Sequence, residues 1–347
     1  MAAADASGPS SGQVWQDKEI RLFLPAQAVM CRKGEFVIDR MNSVEDTKGN
    51  NGTRGTLLIT NLRMVWISHK SFKTNLSVGY SCIQTITIRS APSILRARAQ
   101  ALYLMTKFDE ARYEFIFTSL VEGSPRLFTT VQAVFRAYET SKLYRDLKLR
   151  GAIVRDGLLR QLPDEEVFNR LDGVMNLSSD QGNLGVLYLT NIRMVWHASL
   201  AENFNVSIPW IQISKVHVRA SKFGQALVVE TVPRAGGYVL GFKIEPDERR
   251  EAACKEVSSL WKVFLADPVL GVKHTVEDAP TSTQSAPLER RADDVEIVDS
   301  AETSDTMAAY LADASKAADR EPVFDPELGL AVEALPPGYD IGKLWSA

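Results

Sequence analysis

Apolar and polar residues alternate in two blocks of the chain that have nearly the same sequence. Residues 55–66 read GTLLITNLRMVW and residues 185–196 read GVLYLTNIRMVW, so Gly55 corresponds to Gly185 and Trp66 to Trp196. The match continues in this register, without a gap, as far as Arg89 and Arg219. Because repeats that stack into solenoids have much shorter periods of roughly 20 to 50 residues, we expect each copy to form its own small domain.

Each block predicts a β-hairpin. Branched, aromatic and aliphatic residues, which favour strands, lie on both sides of a Thr-Asn pair. We expect the Asn in the turn, because Asn tolerates a positive φ angle and its side chain can hydrogen-bond to the nearby backbone. The alternative is a binding pair of Asn and Arg, but a turn Asn followed by a strand Arg is usually structural. The repeated positions to which we assign a structural role are Asn61, Arg63, Trp66, Asn191, Arg193 and Trp196.

The pattern around the first hairpin predicts further short strands and one helix. A first strand is expected at residues 36–38, followed by a long, mobile connection at residues 42–54 that is rich in Gly and Asn. Ser124 as N-cap and Pro125 at position N1 then begin a helix with one apolar stripe, which must pack on the strands. The other expected strands lie at residues 75–78, 85–89, 101–106 and 112–118.

The second block is followed by the same series of elements. Its strands are expected from residue 167 onwards and at residues 205–208, 215–219, 226–230 and 238–244, with a helix that starts near Pro246. The predicted fold class is therefore mainly β with capping helices. We expect two tandem β-barrel domains of about seven strands, each closed by a C-terminal amphipathic helix, and an acidic, partly disordered C-terminal tail.

The chain is divided by these patterns into five segments. We expect disorder at residues 1–14, the first domain at 15–150, the second at 151–272 and a disordered acidic linker at 273–305. Residues 306–347 regain apolar residues and are expected to fold onto a surface, either of this chain's own barrels or of a partner. The candidate partner-binding residues of this segment are Phe324, Leu328, Leu330, Tyr339, Leu344 and Trp345.

Composition is ordinary for a globular protein, with 45% hydrophobic and 24% charged residues. The net charge is −3, but the sign is divided along the chain. Residues 276–347 hold 16 acidic and 5 basic residues, which leaves 27 acidic and 35 basic residues for the rest. The tail is either a solvated, flexible segment or a screen for a basic face that binds something anionic.

No catalytic or metal-binding pattern is present. The four His residues are scattered, no nucleophile, P-loop or dinucleotide motif occurs, and a phosphatase-type Cys-x5-Arg is missing. Cys31, Cys82 and Cys254 stand far apart, which is typical of free buried thiols in a reducing compartment. We therefore expect no enzyme activity, no metal and no cofactor. Nucleic acid is not an expected partner, because the net charge is acidic and no pair of stacking aromatics accompanies the basic clusters.

Strand-Thr-Asn-x-Arg-strand hairpins in a small barrel with a C-terminal helix resemble pleckstrin-homology (PH) and GRAM-type domains. The longer strings VEDTKGNNGTRGTLLITNLRMVW, AYETSKLYRDLKLR, NLSSDQGNLGVLYLTNIRMVWHA and REPVFDPELGLAVE resemble the Bardet-Biedl syndrome protein 5 family. The resemblance runs from Trp15 to Trp345 and leaves out the N-terminus and the linker near residues 276–305.

That resemblance implies a subunit of the BBSome, a coat-like complex that moves membrane proteins to and from cilia and is required for ciliogenesis. It implies two PH-like domains that bind phosphoinositides, a place at the cilium, its membrane, the basal body and the cytoplasm, and several kinds of partner. These are other BBSome subunits, with β-propeller proteins among them, a phosphoinositide-containing membrane and, through the complex, an ARF-like small GTPase.

The first barrel is the better candidate for the lipid, because the corresponding loops of the second have no basic residue. In many PH domains Lys and Arg hold the headgroup near the open end of the barrel. The candidate residues are Lys48, Arg54, Lys70 and Lys73, although Glu45 and Asp46 stand close to Lys48. One alternative is a pure interaction scaffold whose barrels dock other subunits and bind no lipid. The other is a phosphoinositide-metabolising enzyme, for which no catalytic motif is present.

Overall fold

The computed structural model describes residues 17–50, 52–177, 182–274, 307–312, 322–325 and 330–333. Within these residues the chain forms two eight-stranded antiparallel sheets in succession, and a long helix follows each sheet. The predicted fold class, mainly β with capping helices, is confirmed. The expectation of disorder for residues 1–14 lies outside the described residues, and so does that for residues 273–305 except for its first two residues, Lys273 and His274.

The first sheet is built from two hairpin series that meet at one strand pair. Its order is β1-β5-β4-β3-β2-β8-β7-β6, so the meander from β2 to β5 joins the β6–β8 series where β2 pairs with β8. The elements of this domain are β1 (Ile20–Leu22), α1 (Ala26–Val29), β2 (Val37–Asp46), β3 (Thr53–Thr60), β4 (Arg63–Ser68), β5 (Asn75–Gly79), β6 (Ile83–Ser93), β7 (Ala97–Phe108), β8 (Ala111–Ser119) and α2 (Arg126–Thr140).

The predicted long connection at residues 42–54 is wrong. Strand β2 continues to Asp46 and β3 begins at Thr53, so only residues 47–52 form the loop. The polar residues at the end of β2 resemble a loop in sequence, but their side chains are buried and hydrogen-bonded to distant parts of the chain. Strand β1, which pairs with β5, was not predicted, because so short a strand carries too little pattern.

The second domain repeats this plan. Its sheet has the order β16-β17-β18-β12-β13-β14-β15-β9, and β9 takes the edge position that β1 has in the first sheet. Residues 148–149 are thus hydrogen-bonded into the second sheet, just before the predicted boundary at residue 150. The elements are β9 (Lys148–Leu149), β10 (Val154–Arg155), β11 (Leu158–Leu159), β12 (Val167–Asn176), β13 (Asn183–Thr190), β14 (Arg193–Ala198), β15 (Asn205–Pro209), β16 (Ile213–Ser221), β17 (Gly224–Thr231), β18 (Val239–Lys243) and α3 (Asp247–Ala266). A separate hairpin follows, with β19 (Pro322–Asp325) and β20 (Leu330–Glu333).

The capping helices pack on the strands as their apolar stripes predict. Val131 and Val134 of α2 belong to the core of the first domain, and Val257 of α3 belongs to the core of the second. Helix α2 starts one residue later than expected: Pro125 is the N-cap, and its carbonyl accepts from the backbone amides of Phe128 and Thr129. In the part of the chain that the structure describes, no helix is long and apolar enough to cross a membrane.

The three cysteines have no disulfide partner and differ in exposure. Cys82 is buried, Cys254 is half-buried and Cys31 is exposed. The expectation of buried thiols is therefore wrong for Cys31, which lies on the surface just after α1.

Candidate functional site

The repeated Asn residues fasten the hairpin turn to the segment that precedes β2 or β12. Asn61 accepts from the Phe36 amide at 3.0 Å and donates to the Gly34 carbonyl at 2.8 Å. Asn191 makes the same two bonds to Glu166 and Asp164, at 2.9 and 2.8 Å. Neither Asn has a positive φ angle, so that part of the prediction is wrong. The two side-chain hydrogen bonds, and not a left-handed backbone, explain why Asn occupies this position in both repeats.

The repeated Arg residues form buried ion pairs. Arg63 Nε donates to Glu35 Oε1 at 2.8 Å, and Arg193 Nε donates to Glu165 Oε1 at the same distance. A Thr hydroxyl, from Thr60 in the first domain, donates to the same carboxylate at 2.9 Å. Both glutamates were missed in the sequence, although Glu35 and Glu165 correspond to each other in the register that relates Gly55 to Gly185. These Arg side chains hold the barrel and are not free for a ligand.

The repeated Trp residues are structural as well. Trp66 Nε1 donates to the Val44 carbonyl and Trp196 Nε1 to the Val174 carbonyl, each at 3.0 Å. Both rings are buried in their cores. The six repeated positions therefore build the frame, and their burial and bonding leave no side-chain group for a ligand.

All four candidate lipid-binding residues lie at one end of the first sheet. In a meander, alternate loops share an end, so the β2–β3 loop and the β4–β5 loop lie together, and the backbone bond from His69 to Arg54 joins them at 3.0 Å. Lys48 lies in the first loop, Arg54 stands near the start of β3, and Lys70 and Lys73 lie in the second loop. We call this end of the barrel the mouth.

The structure separates these four residues into two pairs. Lys48 Nζ donates to Glu114 Oε2 and to the Leu311 carbonyl, both at 3.1 Å, and Arg54 donates to Ser43 Oγ at 2.8 Å. Lys70 and Lys73 are exposed and form no ion pair within the described residues. Between these two lysines stands Phe72, whose side chain is 48% exposed.

Two buried carboxylates form the inner side of the mouth. Ser93 donates its hydroxyl to Glu45, and the Ile94 amide donates to the same carboxylate at 3.1 Å. Asp46 accepts from the side chain of Asn50 at 2.7 Å. Burial raises the pKa of both carboxyl groups above their usual values. Negative charge this close to Lys48 disfavours an anionic headgroup inside the mouth.

A short tail segment, residues 307–312, lies across the mouth. The Tyr310 side chain is 0% exposed, and its ring centroid is 4.7 Å from that of Phe115. Its hydroxyl donates to Asp46. Tyr310 was not singled out in the sequence, because one aromatic in a polar stretch gives no periodic signal. We refer to residues 307–312 as the strap.

The proposed partner-binding residues of the tail are only partly described. Phe324 lies in β19 and is 65% exposed, and Leu330 begins β20. Leu328, Tyr339, Leu344 and Trp345 lie outside the described residues. Their role in binding a partner remains a prediction.

At the same end of the second barrel, two positions that hold cations in the first barrel hold leucine instead. In the register of the repeat, Leu184 takes the place of Arg54 and Leu200 takes the place of Lys70. Both leucines are exposed, and the Ser199 amide, next to Leu200, donates to the Leu184 carbonyl at 3.0 Å. In the described residues no group of three or more potential metal ligands occurs at either end.

Comparison with known proteins gives strong matches over almost the whole chain. The family model "Bardet-Biedl syndrome 5 protein N-terminal PH-like domain" matches residues 35–140, and "Bardet-Biedl syndrome 5 protein second PH-like domain" matches residues 148–274. The chain is 53% identical over 332 residues to BBSome complex member BBS5 of Danio rerio and to that of Homo sapiens, covering 96% of this chain and 97% of each relative. It is 40% identical over 349 residues to BBSome complex member bbs-5 of Caenorhabditis elegans, covering 96% of both chains. The two sheets are thus two tandem PH-like domains.

Proposed function

The chain belongs to the Bardet-Biedl syndrome 5 protein family, and from that premise we propose that it is a non-enzymatic subunit of the BBSome. In this proposal it contributes membrane recognition and subunit docking to the transport of membrane proteins to and from cilia, and thereby to ciliogenesis. Its partners are other BBSome subunits, including β-propeller proteins, a phosphoinositide-containing membrane and, through the complex, an ARF-like small GTPase. It works at the ciliary membrane, at the basal body and in the cytoplasm.

One observation supports the membrane contact most directly, namely the exposed β4–β5 loop of the first barrel. Lys70 and Lys73 flank the exposed Phe72, so two cations and one aromatic ring stand on the same short loop. An aromatic side chain can enter the headgroup region while basic residues beside it attract anionic lipid. We propose that Lys70 and Lys73 make the primary contact with the phosphoinositide.

Lys48 and Arg54 have a secondary place in this proposal. Lys48 already interacts with Glu114 and with the strap, and Asp46 lies buried beside it. A headgroup that entered the mouth would have to displace these contacts. Membrane contact therefore begins on the outer loop, and the two inner cations strengthen it by long-range attraction.

The test is flotation of the full-length protein with liposomes of phosphatidylcholine, with and without phosphoinositide. Attraction to an anionic surface is worth about 1 kcal/mol per basic residue. Neutralising Lys70 and Lys73 together should therefore lower the partition coefficient roughly 30-fold at low salt, and Lys70→Glu/Lys73→Glu should lower it further. The loss should shrink as salt rises, because the attraction is screened.

A matched control has the same net charge as Lys70→Glu/Lys73→Glu, but its two substitutions lie away from the mouth. Lys33→Glu/Lys255→Glu alters two exposed lysines, of which Lys33 lies before β2, at the opposite end of the first sheet. This control should float like the wild type. If the Lys70/Lys73 variant floats as well as the control at low salt, the loop is not the membrane contact.

The second candidate function is a pure interaction scaffold that binds no lipid. It is favoured by the second barrel, where exposed Leu184 and Leu200 stand in place of cations. Contiguous exposed apolar surface is typical of a protein interface, and these two leucines would contribute to such a surface. If neither the wild type nor the control floats with the liposomes, the result supports the scaffold function in place of lipid recognition.

A further inference from the structure

The strap fills a gap in the first sheet. Strand β2 leaves β8 after the pair Asp46 and Phe117, so the beginning of β8 has an open edge on that side. Residues of the strap take this position: the Ala312 amide donates to the Arg112 carbonyl at 2.9 Å, and Leu311 forms an antiparallel bridge with Tyr113. The strap is thus bound partly as a short added strand.

One side chain of the strap enters the mouth. The Tyr310 ring packs on Phe115, and its hydroxyl contacts two groups at the bottom. The hydroxyl donates to Asp46 Oδ2 and accepts from Asn50 Nδ2 at 3.0 Å. Gly49 completes the site, because a Cβ at that position would overlap the Tyr310 hydroxyl. The pocket therefore fits a tyrosine in shape and in hydrogen bonding.

The chemistry of this pocket is restricted to the first barrel. In the register of the repeat Asn176 replaces Asp46, and in the last strands, where Phe117 corresponds to Phe242, Leu240 replaces Phe115. The frame of the barrel is the same in both repeats, so the frame alone does not account for these differences. Among the described residues, the contact between a buried carboxylate and the Tyr310 hydroxyl belongs to the first mouth.

We propose that the mouth of the first barrel is a binding site for a short tyrosine-centred peptide segment, and that the strap occupies it as an exchangeable ligand. The strap is attached to the second domain through residues 275–306, so its binding is a tethered, intramolecular event. It holds the barrel through the buried Tyr310 ring, the half-buried Met307 and a few hydrogen bonds, which is a small contact compared with the strand pairs of the sheet, so we expect it to open without unfolding the sheet. Asp46 makes the site selective, because a phosphotyrosine would place its negative charge against the carboxylate.

Peptide binding in trans to the full-length chain tests this proposal without any membrane. The variant Tyr310→Ala empties the pocket, and the probe is a fluorescein-labelled peptide with the sequence of residues 304–315, SDTMAAYLADAS. Fluorescence anisotropy should show saturable binding to Tyr310→Ala and at least tenfold weaker binding to the wild type, whose own strap competes. A peptide with Phe in place of Tyr should bind at least fivefold more weakly, and a phosphotyrosine peptide should not bind.

A second variant guards against a folding defect in the first. Ala312→Pro removes the amide that donates to Arg112 and leaves the Tyr310 pocket unaltered, so it replaces Tyr310→Ala if the circular dichroism spectrum of the latter is not native. Equal binding of the peptide to variant and wild type would show non-specific adsorption. No binding to a folded variant would show that the strap is a fixed part of the barrel, and either result overturns the proposal.

Discussion

Replacing Glu35 by Gln should destabilise the first domain strongly. The Arg63 side chain is 0% exposed, and its Nε and Nη2 donate to the two carboxylate oxygens of Glu35 at 2.8 and 3.2 Å. The amide keeps the volume of the side chain but leaves the guanidinium without its counter-ion. Breaking a buried ion pair on one side costs about 3–5 kcal/mol, a large part of the roughly 5–15 kcal/mol that typically separates folded from unfolded states.

The repeat supplies a matched control within the same chain. Arg193 donates to Glu165 at 2.8 Å through both Nε and Nη2, and that pair is equally buried. Glu165→Gln should therefore lower the stability of the second domain by a similar amount. Urea unfolding followed by circular dichroism measures the loss, and native-state hydrogen exchange assigns it to one domain.

A double variant separates lost charge from lost packing. Glu35→Gln/Arg63→Met removes both charges, so it should be more stable than the sum of the two single changes predicts, by several kcal/mol. The double variant will not regain the full stability of the wild type, because Arg63 also donates to Ser77 Oγ and to the Met30 carbonyl. If Glu35→Gln alone costs less than about 1 kcal/mol, the buried pair does not hold the hairpin and our account of the repeated Arg is refuted.

Three further predictions concern other parts of the frame. Gly55→Ala and Gly185→Ala should each lower stability by about 1–3 kcal/mol or more in thermal unfolding, the cost of overpacking, because the added Cβ would overlap the neighbouring strand and a Trp ring; wild-type stability would contradict this. Alkylation followed by mass spectrometry should modify exposed Cys31 first, whereas Cys82 should react only on unfolding, since burial raises its pKa to about 12. Burial also raises the pKa of Asp17 above 3.8, so the folded state holds this proton more tightly than the unfolded chain. The wild type should therefore lose stability relative to Asp17→Asn as the pH rises from about 4, and parallel pH profiles in urea unfolding would contradict this.

Local patterns in the sequence were sufficient to predict the hairpins and the capping helices. Their signals, two strands around a Thr-Asn turn and one apolar stripe, lie within about 15 neighbouring residues. Elements that depend on distant pairing were missed. Strand β1 is very short and exists through its pairing with β5, and the end of β2 was mistaken for a loop because its polar side chains have partners far along the chain.

The candidate site shows the same division. Lys70 and Lys73 could be chosen from the sequence, because a loop between two strands exposes its charged residues. The hydrogen bonds of Lys48 could not be predicted from the sequence. One of its acceptors, the Leu311 carbonyl, lies 263 residues further along the chain. The pocket for Tyr310 has no sequence signal at all: its residues come from a loop, two strands and the tail, and none of these segments is unusual by itself.

The two repeats within one chain separate the frame from the functional surface. Several residues that recur in the same register, such as Glu35 and Glu165, are buried and form ion pairs within their own domain. The mouths differ in charge and in shape: cations and a tyrosine pocket in the first, exposed Leu184 and Leu200 in the second. A cationic loop favours an anionic surface, whereas paired leucines favour an apolar protein surface. In the proposed function the first mouth is therefore the one that contacts a membrane, and the second mouth is left for a neighbouring subunit.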